Sequence, residues 1–145
     1  MKIIQLTQNK STIVDDDCYQ ILSKHKWCFN SGYAGRNNNG IRVLMHRVIM
    51  KPPAGMEVDH INGDKLDNRR CNLRVCFKSG NMRNRNLYKC NKTGFKGVIK
   101  FQSGYRANIT VNGKSLYLGL FPTAKMAYSA YKKASKRHHG EFSRV

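Results

Sequence analysis

The chain has 145 residues, with 27 Lys and Arg against 8 Asp and Glu, and a formal net charge of +19. This length suits one ordinary domain or two very small ones, each with a thin core. No apolar run approaches the roughly 18 residues that a membrane-spanning helix needs, and the first ten residues lack the apolar core of a signal peptide. We therefore expect a cytoplasmic protein with no membrane partner.

The positive charge is concentrated in the second half of the chain. Between Asp67 and Glu141 there are seventeen Lys or Arg residues and no carboxylate. A field of this sign attracts a polyanion, and DNA or RNA is the usual one. On charge alone, a ribosome-like protein or a membrane-surface protein is the alternative.

The five cysteines are odd in number and include no Cys-x-x-Cys pair. This pattern argues against a disulfide framework and against a four-thiolate zinc site. We expect reduced, packed thiols, and an irregular metal site that uses Cys71 and Cys76 is the alternative.

The first part of the chain predicts a small support layer. Two short strands are expected around the polar turn at 8–10, followed by a helix near 16–26 with an acidic first turn. The pair Asn39-Gly40 then predicts a hairpin that runs into a short apolar helix, which Pro52 and Pro53 end.

The segment 57–85 predicts a strand, a loop and a helix in that order. A strand is expected over 58–61, and Asn62-Gly63 is a strong signal for a tight turn. Ser79 is expected to be the N-cap of a helix through 81–86.

The last part of the chain predicts three strands and one helix. The strand-length runs 95–101, 105–111 and 114–121 are joined by turn residues, and Thr123 is the expected N-cap of the helix. The middle run alternates, so one of its faces is apolar and the other polar. The residues expected in the core are Leu116, Leu118, Leu120, Met126, Ala130 and Tyr131.

Asp59 and His60 carry the chemistry that phosphodiester hydrolysis needs. A base must activate water, a cation must stabilise charge on the phosphate, and donors must hold the strand. The ordinary pKa of histidine is near neutrality, so neutral His60 can take a proton from water, while Asp59 offers a hard oxygen to a metal. Neighbours on a regular strand point to opposite faces, so both can serve one phosphate only where the strand distorts or ends.

The spacing of four residues resembles the His-Asn-His (HNH) endonuclease motif, in particular its phage and intron homing branch. Asn72 follows His60 by twelve residues, Asn81 follows nine later, and "HINGDKLDNRRCNLR" fits the family pattern. The resemblance implies a ββα-metal core in which His60 is the general base, Asp59 and Asn81 are metal ligands, and Asn72 braces the loop. Oxygen ligands favour Mg²⁺ or Mn²⁺ over Zn²⁺. Asn84, one turn beyond Asn81, is a possible substitute ligand.

Simpler interpretations exist for the same residues. An Asp-His pair is often a surface accident, Asn72 can be an ordinary cap, and a family member can lose its activity. His46 stands where the family often has a His-Arg pair, but packing at the start of a helix is the favoured role. The basic residues near the site are expected to bind the phosphate backbone as a group, with solvated charge as the alternative for each. They are Arg69, Arg70, Arg74, Arg83 and Arg85.

Residues 93–145 resemble the APETALA-two type DNA-binding domain. The resemblance rests on "KGV", "YRANI", "YLGLF" and "AYSAYKKA". It implies that the sheet enters the major groove of double-stranded DNA, and an ordinary wet sheet face is the alternative. Tyr105 and Ile99 stand where the family often has Trp and Arg, so no base preference is implied. The implied DNA contacts are Lys96, Lys100, Arg106, Asn108, Thr110 and Tyr117.

Together these patterns predict an α+β protein. Residues 1–88 would form an HNH endonuclease domain with its support layer, and 93–145 a three-stranded antiparallel sheet packed on one helix. The expected function is cleavage of double-stranded DNA with one divalent cation, by a monomer or weak dimer. A DNA-binding protein with an inactive nuclease half is one rival. An RNA-binding protein that stacks bases on Tyr105, Tyr117 and Phe101 is the other.

Overall fold

The structure is a computed structural model that describes residues 1–83 and 91–143. The chain forms two compact units, Met1–Asn81 and Met82–Val145. The predicted domain limit at residue 88 lies outside the described residues, so that limit stays a prediction. In the described part of the chain, no helix is both long and apolar enough to cross a membrane.

The first unit opens with a hairpin and a short helix. Strand β1 (Lys2–Gln5) pairs antiparallel with β2 (Ser11–Val14), and helix α1 (Asp16–Leu22) follows. The helix was predicted to continue to residue 26, and this prediction is wrong. The carbonyl of Leu22 accepts a hydrogen bond from the buried indole Nε1 of Trp27 at 2.8 Å, so the chain leaves the helix to bring that ring back over its end.

A three-stranded antiparallel sheet leads into the second helix. It contains β3 (Cys28–Asn30), β4 (Tyr33–Asn38) and β5 (Ile41–Leu44) in that order. The predicted hairpin at Asn39-Gly40 is confirmed, with φ angles of 50° and 80° that suit a two-residue turn. Helix α2 (Met45–Met50) follows directly and ends before the two prolines, as predicted.

The segment that carries Asp59 and His60 is a two-stranded ribbon followed by a helix. Strand β6 (Glu57–His60) pairs antiparallel with β7 (Leu73–Cys76), and α3 (Lys78–Arg83) comes next. The predicted strand at 58–61 is therefore displaced by one residue. The predicted N-cap role of Ser79 is wrong, because α3 begins at Lys78 and its first turn closes on the carbonyl of Phe77.

The first unit has a continuous apolar core that includes Val14, Leu22, Trp27, Met45 and Leu73. Cys18 and Cys76 are buried free thiols, so the expectation of packed, reduced cysteines is confirmed for these two. Cys28 and Cys71 are free but exposed, so the packing expectation is wrong for them.

The second unit is a three-stranded antiparallel sheet with one long helix, as predicted. Strands β8 (Val98–Phe101), β9 (Gly104–Val111) and β10 (Lys114–Phe121) lie in the order β10-β9-β8. Helix α4 (Ala124–His139) packs on one face, with Ala127 and Tyr131 buried. The side chain of Thr123 accepts a hydrogen bond from the Met126 N–H, which confirms the predicted N-cap.

The prediction that Leu116, Leu120 and Met126 lie in the core is wrong. Leu116, Leu120 and Met126 are 40%, 48% and 51% exposed. The pairing register shifts between Tyr117 and Gly119, so the simple alternation along β10 is broken. Leu118 keeps a core position, whereas Leu120 is carried to the face that α4 does not cover.

Candidate active site

One face of β6 carries two carboxylates. Glu57 and Asp59 are two residues apart, and alternate residues of a strand share a face. Arg74 lies directly opposite Asp59 in β7. Its Nε and Nη2 atoms both donate to Oδ2 of Asp59, at 3.0 and 2.7 Å, and both side chains are almost fully shielded from water. A charge-assisted pair of this kind fixes the direction of the carboxylate.

Asn81 reaches the same face from α3. Its Nδ2 atom donates a short hydrogen bond to Oε2 of Glu57. An asparagine amide has one nitrogen donor group and one oxygen acceptor, so an amide whose nitrogen donates to Glu57 can offer only its oxygen to a cation. Glu57 therefore sets which atom of Asn81 a metal would meet.

The donor set on this face suits a hard cation. Carboxylate and amide oxygens are ligands of Mg²⁺, which commonly keeps several waters and takes only one or two protein ligands beside the phosphates of a substrate. Across residues 1–83 and 91–143, no group of three or more His, Cys, Asp and Glu side chains could hold a metal ion. Burial also raises the pKa of the Cys76 thiol, which makes it a poor ligand at neutral pH.

His60 is the last residue of β6 and is 4% exposed. Its Nε2 atom lies 3.4 Å from Oδ1 of Asn68, and its ring centroid lies 5.1 Å from that of His46 and 6.1 Å from that of Tyr33. Burial lowers the pKa of His60, and the Asn68 hydrogen bond and the Asp59 charge oppose that effect. The imidazole is therefore neutral at neutral pH, the form in which it can accept a proton.

His46 packs against His60 from α2. It is 5% exposed, and the two imidazoles meet edge to face. Burial, followed by the nearby His60 and Arg47, lowers the pKa of His46 to about 3. The packed role favoured by the sequence is therefore confirmed, and its neighbour is the candidate base.

The loop after His60 is held by buried asparagines. Oδ1 of Asn72 accepts from the Asn62 N–H at 3.0 Å, and Nδ2 of Asn72 donates to the carbonyl of Asp67 at 2.8 Å. Asn68, only 1% exposed, donates from Nδ2 to Oγ1 of Thr12 at 2.7 Å. Asn68 thus links His60 to strand β2, which is far away in sequence.

Comparison with known proteins identifies the family of this chain. The family model described as HNH endonuclease matches residues 43–83, the segment from the end of β5 through α3. An uncharacterized HNH endonuclease of Acanthamoeba polyphaga mimivirus is 32% identical over 135 residues, which cover 88% of this chain and 70% of that protein. The chain belongs to the HNH endonuclease family. No solved structure matches this HNH endonuclease.

Three of the arginines expected to bind phosphate have carboxylate partners in this HNH endonuclease. Arg69 pairs with Asp67 at 2.6 Å, and Arg70 lies 3.5 Å from Asp17. Arg74 is the partner of Asp59 described above. A phosphate group would have to compete with these carboxylates. The side chain of Arg83, and Asn84 and Arg85 as a whole, lie outside the described part of the HNH endonuclease.

In the second unit, the residues expected to contact DNA fall on two faces of the sheet. The register places Arg106, Asn108, Thr110 and Tyr117 on the face that α4 leaves open. Lys100 lies opposite Tyr105 and therefore shares the α4 side of the edge strand. Lys96 precedes β8 and is half-buried.

Several residues of the site were not assigned a role from the sequence. The contact between Glu57 and Asn81 could not be predicted, because the two residues are far apart along the chain. The i, i+2 spacing of Glu57 and Asp59 could have predicted that both side chains lie on one face of the strand. Asn68 belongs to the recognised pattern, but its contact with His60 needed the folded loop. Tyr33 and its neighbour Lys65, whose Nζ lies 4.3 Å from the Tyr33 ring centroid, had no sequence signal at all.

Proposed function

We propose that this HNH endonuclease hydrolyses phosphodiester bonds of DNA with one divalent cation, Mg²⁺ or Mn²⁺. Asp59 and Asn81 are the proposed ligands, His60 the proposed general base, and Asn72 the residue that braces the loop. The observation that carries the proposal is that Asn81 contacts Glu57 on the face of β6 that also presents Asp59. This contact supports a shared surface for the two proposed oxygen ligands, which come from different elements.

The environment of His60 supports its proposed role as the general base. A bound divalent cation would stabilise the charge that develops on the phosphate and on the leaving oxygen. His60 takes the proton from the attacking water, and its lowered pKa keeps it in the neutral form for this step. Asn68 and the packed ring of His46 restrict the orientation of the imidazole. His60 ends β6, so the chain turns away immediately after it, which allows the base and the Asp59 face to approach one phosphate.

The remaining parts of the proposal concern the substrate and the assembly. The open face of the second unit, with Arg106, Asn108, Thr110 and Tyr117, is the proposed surface for double-stranded DNA of an APETALA-two type domain. One active site per chain predicts a nick by a monomer, and a weak dimer would cut both strands. A phage-type homing role is part of the same proposal and rests on the sequence resemblance.

The test is a cleavage assay on supercoiled plasmid with Mg²⁺. Wild type should nick or linearise the plasmid, whereas His60→Ala and Asp59→Ala should lose this activity. His25→Ala is the matched control, because His25 is exposed and lies outside the site. If wild type and both site variants leave the plasmid equally intact, the nuclease proposal fails. Binding with steep salt dependence but no cleavage would instead identify a DNA-binding protein with an inactive nuclease half.

A further inference from the structure

The open face of the second unit carries more apolar surface than a wet sheet face needs. Ile99, Phe101, Tyr117 and Leu120 are 50%, 42%, 60% and 48% exposed. They lie on β8 and β10, on both sides of β9, and the pairing register puts Ile99 and Leu120 directly beside Arg106. Single exposed apolar residues are ordinary, but a cluster of large ones on one face marks an interaction site.

Arg106 is the cationic centre of this cluster. Its guanidinium carbon lies 5.3 Å from the centroid of the Tyr117 ring and 5.9 Å from that of the Phe101 ring. Its Nε atom donates to Oδ1 of Asn108 at 3.2 Å. Two aromatic rings and a planar cation are therefore held close together, and all three have flat faces on which another ring can stack.

The same residues line a shallow cavity of about 290 Å³. Its walls are Phe101, Arg106, Tyr117 and Leu120. At roughly 30 Å³ per liquid water, it has room for about ten water molecules, so it is large enough for the ring system of one nucleobase.

The positive charge of the second unit favours a polyanion as the ligand of this cavity. No Asp or Glu occurs from residue 68 to residue 140, so the sequence that forms the sheet and all of α4 is free of carboxylates. Aromatic platforms combined with a positive surface are the usual way in which proteins hold single-stranded nucleic acid, because every base has a π-face. In an intact duplex those faces are covered by neighbouring base pairs, and only base edges reach the grooves.

We propose that the cavity lined by Phe101, Arg106, Tyr117 and Leu120 binds one unpaired base of single-stranded DNA, stacked on the two rings and the guanidinium. This inference rests on the proposed function for its choice of DNA as the polymer. It adds a binding site for an unpaired strand to a surface that the sequence resemblance assigns to duplex DNA.

Fluorescence with the full-length chain in EDTA tests the proposal, because cleavage is then suppressed. The probes are single-stranded oligothymidylate with one central 2-aminopurine, a fully paired duplex, and the same duplex with one extrahelical 2-aminopurine. Tyr117→Leu and Phe101→Leu remove a ring and keep apolar area. Leu116→Ala is the control, since Leu116 is an exposed apolar residue of the same strand that lies opposite Ile109 on the other face. Thermal melts confirm that each variant is folded.

Wild type should bind the single strand and the extrahelical base and change the 2-aminopurine emission on binding. Each ring variant should weaken these two complexes about tenfold, the scale of one lost base-aromatic stack. Binding of the fully paired duplex should change by less than about twofold in Phe101→Leu, whose ring is not among the proposed duplex contacts. In Tyr117→Leu it should fall less than binding of the single strand, and the control should behave as wild type.

Three results would overturn the inference. The first is that the ring variants lose as much affinity for the fully paired duplex as for the single strand, and that replacing thymine by uracil in the duplex weakens wild-type binding equally. That result would identify contacts to thymine methyl groups in the groove. The second is much tighter binding of the corresponding ribo-oligonucleotide, which identifies RNA as the occupant. The third is failure of the folded wild type to bind the single strand. Plasmid cleavage in Mg²⁺ is a separate measurement, so loss of stacking and loss of nuclease activity can be told apart.

Discussion

The buried imidazole of His46 makes the first unit sensitive to acid. The pKa of His46 falls from 6.5 to about 3 on folding, because burial penalises the charged form. Since the folded-state pKa is the lower one, the stabilisation is complete above pH 6.5 and is lost as the pH falls towards 3. At 1.36 kcal/mol per pKa unit, the loss between pH 7 and pH 5 is about 2 kcal/mol, and the full loss is about 5 kcal/mol.

Replacement of His46 by Gln should remove this part of the acid sensitivity. Urea unfolding can be followed through Trp27, which is the only tryptophan and lies in the core of the first unit. With an m-value of about 2 kcal/mol per molar urea, the wild-type midpoint should fall by roughly 1 M more than that of the variant between pH 7 and pH 5. His60 also has a lowered pKa and contributes acid sensitivity to both proteins, so only the difference between them reports on His46.

His25→Gln is the control for this measurement, because His25 is exposed. It should lose as much stability as wild type over the same pH range. The reasoning is refuted if His46→Gln and wild type lose equal stability between pH 7 and pH 5, since the buried histidine would then have no part in the acid response.

Three further predictions follow from contacts in the two units. Gly97→Ala should lower the thermal stability of the second unit, measured by circular dichroism, by several kcal/mol, because a Cβ there would lie 2.1 Å from the Tyr131 ring. Gly94→Ala has nearly the same φ but open space around it, so it should cost only about 1 kcal/mol; equal losses would contradict the steric argument. Glu57→Ala should weaken Mn²⁺ binding, measured by calorimetry, by roughly tenfold, and Glu57→Gln should restore most of it; unchanged affinity in both would exclude Glu57 from orienting Asn81. Arg74→Ala should destabilise the first unit by about 3 kcal/mol in urea, because it removes the charged partner of a buried carboxylate, and a loss below about 1 kcal/mol would contradict this reasoning.

Local signals predicted most of the secondary structure correctly. The Asn39-Gly40 turn, the Thr123 cap and the three C-terminal strands depend on φ angles, side-chain caps and alternation within a few residues, and all of these are readable from the chain. The errors arose where a distant group intervened. Trp27 returns over the end of α1, and the irregular register of β10 carries Leu120 to the open face.

The candidate site divides in the same way. The spacing of Asp59, His60, Asn72 and Asn81 was sufficient to predict an HNH endonuclease, because catalytic residue types at a family spacing can be recognised along the chain, and the family relationship bears this out. Their individual roles remain proposals. Only folding brings Glu57 to Asn81, Arg74 to Asp59, and His46 to His60. These partners come from separate elements, and the burial that changes the pKa of each histidine exists only once those elements pack together.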